Sequence, residues 1–171
     1  VSISIYATHV QEKERVFDLT TQHARDQGRV AFDSLNMLML SGSMEERDVL
    51  RKKLMDAANV TEVRFIRSKD VMGEGLNDET SVDEIDQRLL KGEDVAEERI
   101  VDGERILTVG VPFKATRNTR GVNCIGCHEV PTGTVLGGVR FGISLEPSYA
   151  MIQETLMQSI IINGVLFALG L

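Results

Sequence analysis

The residues with the clearest chemical potential form the pentapeptide Cys124-Ile125-Gly126-Cys127-His128. It holds both cysteines of the chain, three positions apart, and a histidine follows the second one directly. At this spacing each thiol can reach one vinyl group on the same side of a porphyrin, and the histidine is presented to the iron as the proximal ligand. The pattern predicts covalent haem c attached through Cys124 and Cys127, with His128 on the iron.

Three other kinds of site use cysteines at this spacing. A structural zinc site needs about four ligands, and the other histidines, His9 and His23, lie far upstream on a predicted helix. A redox Cys-x-x-Cys starts a helix after a strand, whereas glycine and proline make the flanks of this motif loop-like. A plain structural disulfide leaves His128 without a role. Haem attachment is therefore the favoured interpretation.

Several segments outside the pentapeptide share a recognisable pattern. They are Arg120-Gly121-Val122-Asn123 before it, Val130-Pro131 and Gly133-Thr134-Val135-Leu136-Gly137 after it, and Met39-Leu40-Ser41-Gly42 and Arg64-Phe65-Ile66-Arg67-Ser68 upstream. Together they resemble the c-type haem sensor domains of bacterial transmembrane receptors, which are PAS-like periplasmic domains of methyl-accepting chemotaxis proteins and related signalling proteins. The resemblance covers most of residues 30 to 147. It implies a PAS-like fold and a homodimer in which helices can be swapped between chains.

Composition limits the remaining function classes. A chain of 171 residues with 42% hydrophobic and 26% charged residues suits one globular domain. A net charge of -7 without a basic cluster argues against nucleic-acid binding. No paired carboxylates and no nucleophile–base arrangement stand near the motif, so we predict that the protein is not an enzyme.

Both ends of the chain are apolar. Residues 159–171 carry no charge, yet the run is shorter than the roughly 20 residues that span a bilayer. We interpret this run as the truncated start of a transmembrane helix; the alternative is a buried or dimer-forming C-terminal helix. Residues 1–7 suit the exit of an earlier spanning helix. Residues 1–158 are then expected to form the periplasmic haem-binding sensor domain of an inner-membrane protein.

The predicted elements alternate between helix and sheet. Residues 1–58 are expected to be helical, with a break at Gly42 and a capping box formed by Ser43 and Glu46. Residues 60–145 are expected to hold the sheet region and the haem loop. Within this region we predict strands at 60–67 and 135–145, a helix at 82–91 opened by a capping box of Ser81 and Glu84, and a hairpin of 95–101 and 105–113 around Asp102-Gly103.

A final helix follows Pro147, which suits a first helical turn. The fold class is therefore α+β, a PAS-like antiparallel sheet with long N- and C-terminal helices. The alternative, a four-helix bundle of the cytochrome c′ kind, places the attachment motif on its final helix, whereas a strand-like segment follows the motif here.

The sixth iron ligand is open from the residues alone. Met37, Met39 and Met44 cluster near the end of the first helix, where any single methionine is most often core packing. Met39 shares an apolar face with Leu35 and Phe32. The resemblance, in which a helix methionine can ligate iron, favours Met39, from the same chain or from the partner chain. His23 has polar neighbours and is expected to be solvated or interhelical.

Haem propionates need cationic partners. Arg64, Arg67 and Arg120 are candidates because guanidinium pairs bidentately with carboxylate, although each one alone is more often a surface residue. Arg120 is favoured because it is adjacent to the motif.

Two functions fit these residues. The first is a sensor that responds to redox state or to a diatomic gas (NO, CO or O2) through a change of the sixth axial ligand. The second is a membrane-tethered electron-transfer cytochrome with permanent His/Met ligation. The long helices and the resemblance favour the sensor.

Overall fold

The computed structural model describes residues 2–71 and 79–170, with side chains from Ala7 onward in the first helix. The elements, in chain order, are α1 (Ser2–Ser41), a 3-10 turn (Met44–Glu46), α2 (Arg47–Met55), β1 (Val60–Arg67), a 3-10 turn (Lys69–Val71), α3 (Glu84–Leu90), β2 (Val95–Val101), β3 (Glu104–Lys114), α4 (Cys124–His128), β4 (Val135–Ser144) and α5 (Glu146–Ala168).

The four strands form one antiparallel sheet in the order β1-β4-β3-β2. The helix α1 packs across β3 and β4, and its buried residues Ala24, Ala31 and Phe32 join the main core with the inward side chains of the sheet. A Cβ at Gly28 would lie 2.9 Å from Cγ2 of Val111, so a glycine is needed for α1 to approach the sheet this closely. The predicted α+β fold, with an antiparallel sheet and long terminal helices, is confirmed.

The hairpin between β2 and β3 turns at Asp102 and Gly103, whose φ values are +52° and +87°. Two successive positive φ values define the tight turn that an Asp-Gly pair favours, as predicted. Pro112 is a residue expected to weaken a strand, yet it lies within β3 and pairs with Gly138 of β4. The pairing of β2 with β3 ends at Gly110, so no strand pairs with Pro112 on the β2 side. The N–H that proline lacks is therefore not needed for a hydrogen bond there.

Helix starts differ most from the predictions. Ser43 makes no side-chain cap, and a 3-10 turn precedes α2 instead of a capping box. The cap of α3 is Asp83, whose side chain accepts a hydrogen bond from the backbone N–H of Asp86, and not Ser81. The glycine-rich loop expected around Gly73 and Gly75 lies outside the described residues.

The helix α5 is continuous from Glu146 to Ala168. It is the one helix in the described part of the chain that is long and apolar enough to cross a bilayer, with a mean hydropathy of 1.2 and none of that window buried. It lies beside α1 in antiparallel orientation, because Thr8, His9 and Glu12 border the same groove as Thr155 and Ser159. The first turns of α1 and the last turns of α5 therefore lie at the same end of the molecule.

Candidate functional site

Backbone hydrogen bonds fix the conformation of the segment directly before the cysteines. The N–H of Thr119 donates to the carbonyl of Val122 at 2.8 Å, and the N–H of Val122 donates back at 3.1 Å. Between them Arg120 and Gly121 adopt φ values of +51° and +90°. This tight turn reverses the chain directly before the pentapeptide.

The pentapeptide, predicted to lie in a loop, forms one helical turn within that loop. The side chain of Asn123 caps the turn by accepting from the N–H of Gly126 at 3.2 Å, and Glu129 ends it with a φ of +50°. Residues at positions i, i+3 and i+4 of a helix share one face. The turn therefore brings Cys124, Cys127 and His128 to the same side.

The two thiols have different surroundings. Cys124 is 4% exposed and packs with Ala115 and Leu136 in a small apolar cluster. Cys127 is exposed. The buried member anchors the turn to the end of the sheet and leaves the other thiol at the surface.

A cleft of about 80 Å³ lies between the second half of α1, the sheet and α4. This volume is smaller than the roughly 300–1,000 Å³ that is usual for ligand and cofactor pockets, so a group the size of haem would enter only if α1 and the sheet moved apart. The described lining residues are Phe32, Leu35, Asn36, Met39, Met44, Phe65, Ile66, Arg67, Val71, Glu79, Phe113, His128, Leu136, Gly137 and Gly138. Most of them are apolar, and the rings of Phe32 and Phe113 stack with their centroids 4.0 Å apart.

His128 and Met39 both border this cleft, although they come from distant parts of the chain. Met44 borders it as well, whereas Met37 is 67% exposed and is not among the described lining residues. His23 is exposed on α1 and borders a different groove. Of the predicted iron ligands, the structure thus brings together His128 and Met39.

Arg67 is the predicted propionate partner that borders the cleft. Its Nε lies 3.4 Å from Oε2 of the buried Glu79, and its Nη2 donates to the carbonyl of Val71 at 3.3 Å. Glu79 also accepts from Nε of Arg47 at 2.6 Å. The cleft therefore has a charged portion in which two arginines share one carboxylate.

Arg64 and Arg120 are engaged elsewhere. Arg64 donates to Asp86 at 2.6 Å and to the carbonyl of Thr80 at 3.0 Å, and it is not among the described residues of the cleft. Arg120 donates two hydrogen bonds of 2.5 Å to the carboxylate of Asp33 on α1. The hydrogen bond from Arg120 lowers the pKa of Asp33 below its usual value, so the pair stays ionised at neutral pH.

Glycines inside a strand, such as those of β4, can mark the close approach of a flat group or of another backbone. A Cβ on Gly137 would lie 2.3 Å from the carbonyl oxygen of Ile66, and one on Gly138 would lie 2.5 Å from Cδ2 of Leu89 and 2.7 Å from the carbonyl oxygen of Val111. Neighbouring strands and α3 thus already account for both glycines. Both glycines also border the cleft, where they add no side-chain bulk to the sheet surface.

The residues of the cleft fit a haem. The walls are apolar, a histidine directly follows the two thiols, and a methionine borders the same space. The buried amide of Asn36 has no hydrogen-bond partner among the described residues. Within those ranges no group of three or more histidine, cysteine, aspartate or glutamate side chains is placed to hold a metal ion, so the zinc alternative gains no support.

Sequence reasoning missed three residues near the cleft, Asn36, Glu79 and Asp33. Asn36 had a usable signal, because it is a polar residue one turn from both Phe32 and Met39 in an otherwise apolar stripe. Glu79 and Asp33 had none, because their arginine partners are distant in sequence.

Comparisons with known proteins add no assignment. No protein-family model matches the chain, and no curated protein matches it. The interpretation of the cleft therefore depends on the residues that border it.

Proposed function

We propose that this chain is an extracytoplasmic c-type haem sensor domain of a membrane signal transducer. It responds to redox state or to a small ligand (NO, CO or O2) through a change of the sixth axial ligand. The observation that carries the proposal is that His128 of the attachment motif and Met39 of α1 border one apolar cleft. In support, the sequence resembles haem sensor domains of bacterial receptors.

Each residue of the site has a separate task. Cys124 and Cys127 would hold the group by thioether bonds, and His128 and Met39 would ligate its iron. When bound, haem provides an iron that changes oxidation state and accepts diatomic ligands, and the distal surroundings decide which of these activities dominates. The apolar walls exclude water from the space between His128 and Met39.

We assign the propionate contact to Arg67 rather than to Arg64 or Arg120. Arg67 borders the cleft and shares Glu79 with Arg47, so a second carboxylate can join an arrangement that holds two guanidinium groups. Arg64 is committed to Asp86 on α3. Arg120 instead anchors the attachment loop to α1 through Asp33.

The output of the sensor is a movement of α1. The helix has 40 residues and is about 60 Å long, and Met39 lies in its last turn. A ligand that binds only after Met39 has left its place shifts the protein toward the released state by its differential affinity. Because α1 lies beside α5, the change reaches the end of the molecule where both helices point toward the proposed membrane.

The test begins with the purified domain, produced together with a cytochrome c maturation system. We expect denatured protein to stay coloured and to carry the mass of one haem, with the Cys124→Ala/Cys127→Ala variant as the colourless control. The ferric spectrum should show six-coordinate iron with the far-red band of a sulfur ligand. A colourless denatured wild type would exclude the proposal.

A second measurement separates the sensor from the electron carrier. Reduced protein is exposed to carbon monoxide, and amide hydrogen exchange is followed in α1. For a sensor we expect a complex under mild conditions and faster exchange in the last turns of α1. A protein that binds neither carbon monoxide nor nitric oxide, with the same exchange in both oxidation states, would be an electron-transfer cytochrome.

A further inference from the structure

Asn36 is a buried polar residue without a partner. Its side chain is 3% exposed, and neither Nδ2 nor Oδ1 makes a hydrogen bond within residues 2–71 and 79–170. Most buried amides in proteins are hydrogen-bonded, because an unpaired one loses its hydration without compensation. A leucine would fill the same place among apolar neighbours at no such cost. The amide therefore points to a partner that is not part of the described polypeptide.

The position of Asn36 indicates where that partner lies. Asn36 borders the cleft together with Met39 and His128, one helical turn before Met39 on the same face of α1. Phe32, one turn earlier on α1, also borders the cleft, and its ring stacks on that of Phe113. The charge of Glu79 is paired with Arg47 and Arg67, although its Oε2 makes no hydrogen bond within the described residues. The amide is thus the neutral polar group next to Met39.

We propose that Asn36 selects the small ligand that takes the place of Met39, by donating a hydrogen bond from Nδ2. This inference rests on the proposed haem site. A distal donor favours ligands that carry negative charge on an exposed atom over ligands that accept hydrogen bonds weakly. Asn36 then makes the site prefer anionic or strongly polarised ligands over carbon monoxide. Its role is to determine specificity, whereas Met39 determines whether the position is open.

The experiment compares two small probes of opposite hydrogen-bonding character, an anion that accepts strongly and a neutral molecule that accepts weakly. Fluoride is titrated into the oxidised holoprotein and carbon monoxide into the reduced holoprotein, both in a Met39→Ala background that leaves the sixth position open. For Asn36→Leu we expect the affinity for fluoride to fall about tenfold or more, as loss of a hydrogen bond to a charged acceptor implies. The affinity for carbon monoxide should change less than about threefold on the same scale.

Two further variants make the comparison decisive. Gln22→Leu removes an exposed amide from the same helix, and we expect it to leave both affinities unchanged. Asn36→Ala adds no bulk and gives the same comparison if the leucine variant does not fold. Equal losses of affinity for fluoride and for carbon monoxide would show that Asn36 has only a structural role, and they would overturn the inference. An unchanged affinity for fluoride would overturn it as well.

Failure of the inference can be told from failure of the proposed function. Haem content and the absorption spectrum of denatured wild type are measured first, and a colourless protein would end both. A coloured protein with normal spectra and no fluoride effect at Asn36 would end the inference alone, and it would leave the haem assignment standing.

Discussion

In the proposed haem site, attachment and iron ligation would be coupled at the level of single residues. One helical turn carries Cys124, Cys127 and His128, and the side chain of Asn123 caps that turn. Because the ligand follows the second thiol directly, a haem bonded to the thiols places its iron within reach of His128. The opposite side of the cleft is set by α1, whose residues Asn36 and Met39 lie one turn apart.

Met39→Leu should remove the sixth ligand while keeping the volume of the side chain. We expect the ferric spectrum to lose its far-red sulfur band and the reduction potential to fall, because methionine ligation raises it. Met37→Leu, on an exposed neighbour, is the matched control and should leave both unchanged. An unaltered spectrum for Met39→Leu, with loss of the band in Met44→Leu, would move the assignment to Met44.

The sequence indicated a candidate haem-attachment motif but not the polar residues around the cleft. The motif predicted Cys124, Cys127 and His128 because covalent chemistry fixes their spacing. Asn36 was missed because a single polar residue in an apolar stripe has no fixed spacing to its partner. Arg64 could not be separated from Arg67, because which of the two reaches the cleft depends on the engagement of Arg64 by Asp86.

At the scale of elements, α3 is held against the sheet by a buried ionic cluster. Asp86 is fully buried, and its carboxylate accepts hydrogen bonds from Arg64 at 2.6 Å, from Arg140 at 3.0 Å and from the backbone N–H of Val82 at 2.9 Å. Arg140 also reaches Asp83 at 2.7 Å. The cluster joins β1, β4 and α3 on the side of the sheet away from α1.

Asp86→Ala should destabilise the domain by about 3–5 kcal/mol, because it removes the carboxylate that pairs with the partly buried Arg64 and one of the three that pair with the buried Arg140. Urea denaturation followed by circular dichroism measures the change. Asp26→Ala removes an exposed pair with Arg29 and should cost less than about 1 kcal/mol. Asp86 is not among the described residues of the cleft, so the haem spectrum should stay the same. A loss below 1 kcal/mol for Asp86→Ala would contradict the assigned role.

The order of elements was predictable where the hydrophobic periodicity is clear and the turn residues are distinctive. The strand β1 has the predicted bounds, and the hairpin at Asp102-Gly103 follows from backbone sterics. Helix caps were less predictable, because Ser43 and Ser81 compete with neighbours that also accept hydrogen bonds. The single turn at the pentapeptide escaped prediction because its cap, Asn123, precedes only five helical residues.

At the scale of the whole molecule, the two long helices extend beyond the sheet together. Residues 161–170 of the chain are exposed throughout, and none is charged. An apolar helical surface without protein cover is suited to lipid, which also agrees with the predicted membrane segment from residue 159. The cleft that Met39 and His128 border lies near the other end of α1, where Met39 is in the last turn.

The chain should bind neutral phosphatidylcholine vesicles through α5 and float with them in a density gradient. Ile162→Arg combined with Val165→Arg should abolish flotation, because arginine at the centre of a membrane helix costs about 2.5–3.5 kcal/mol per residue. Gln153→Arg, nearer the sheet on the same helix, is the control and should float normally. Flotation of the double-arginine variant would contradict the membrane role of α5.

The burial of Cys124 has a consequence for biogenesis. A thiol that is 4% exposed and packed against Ala115 and Leu136 is shielded from the attachment machinery once the domain has folded. If the proposed haem is attached here, the thioether at Cys124 would have to form while the polypeptide is still open. Chain that folded without the prosthetic group could then no longer be matured, so supply of that group during synthesis would set the number of competent molecules.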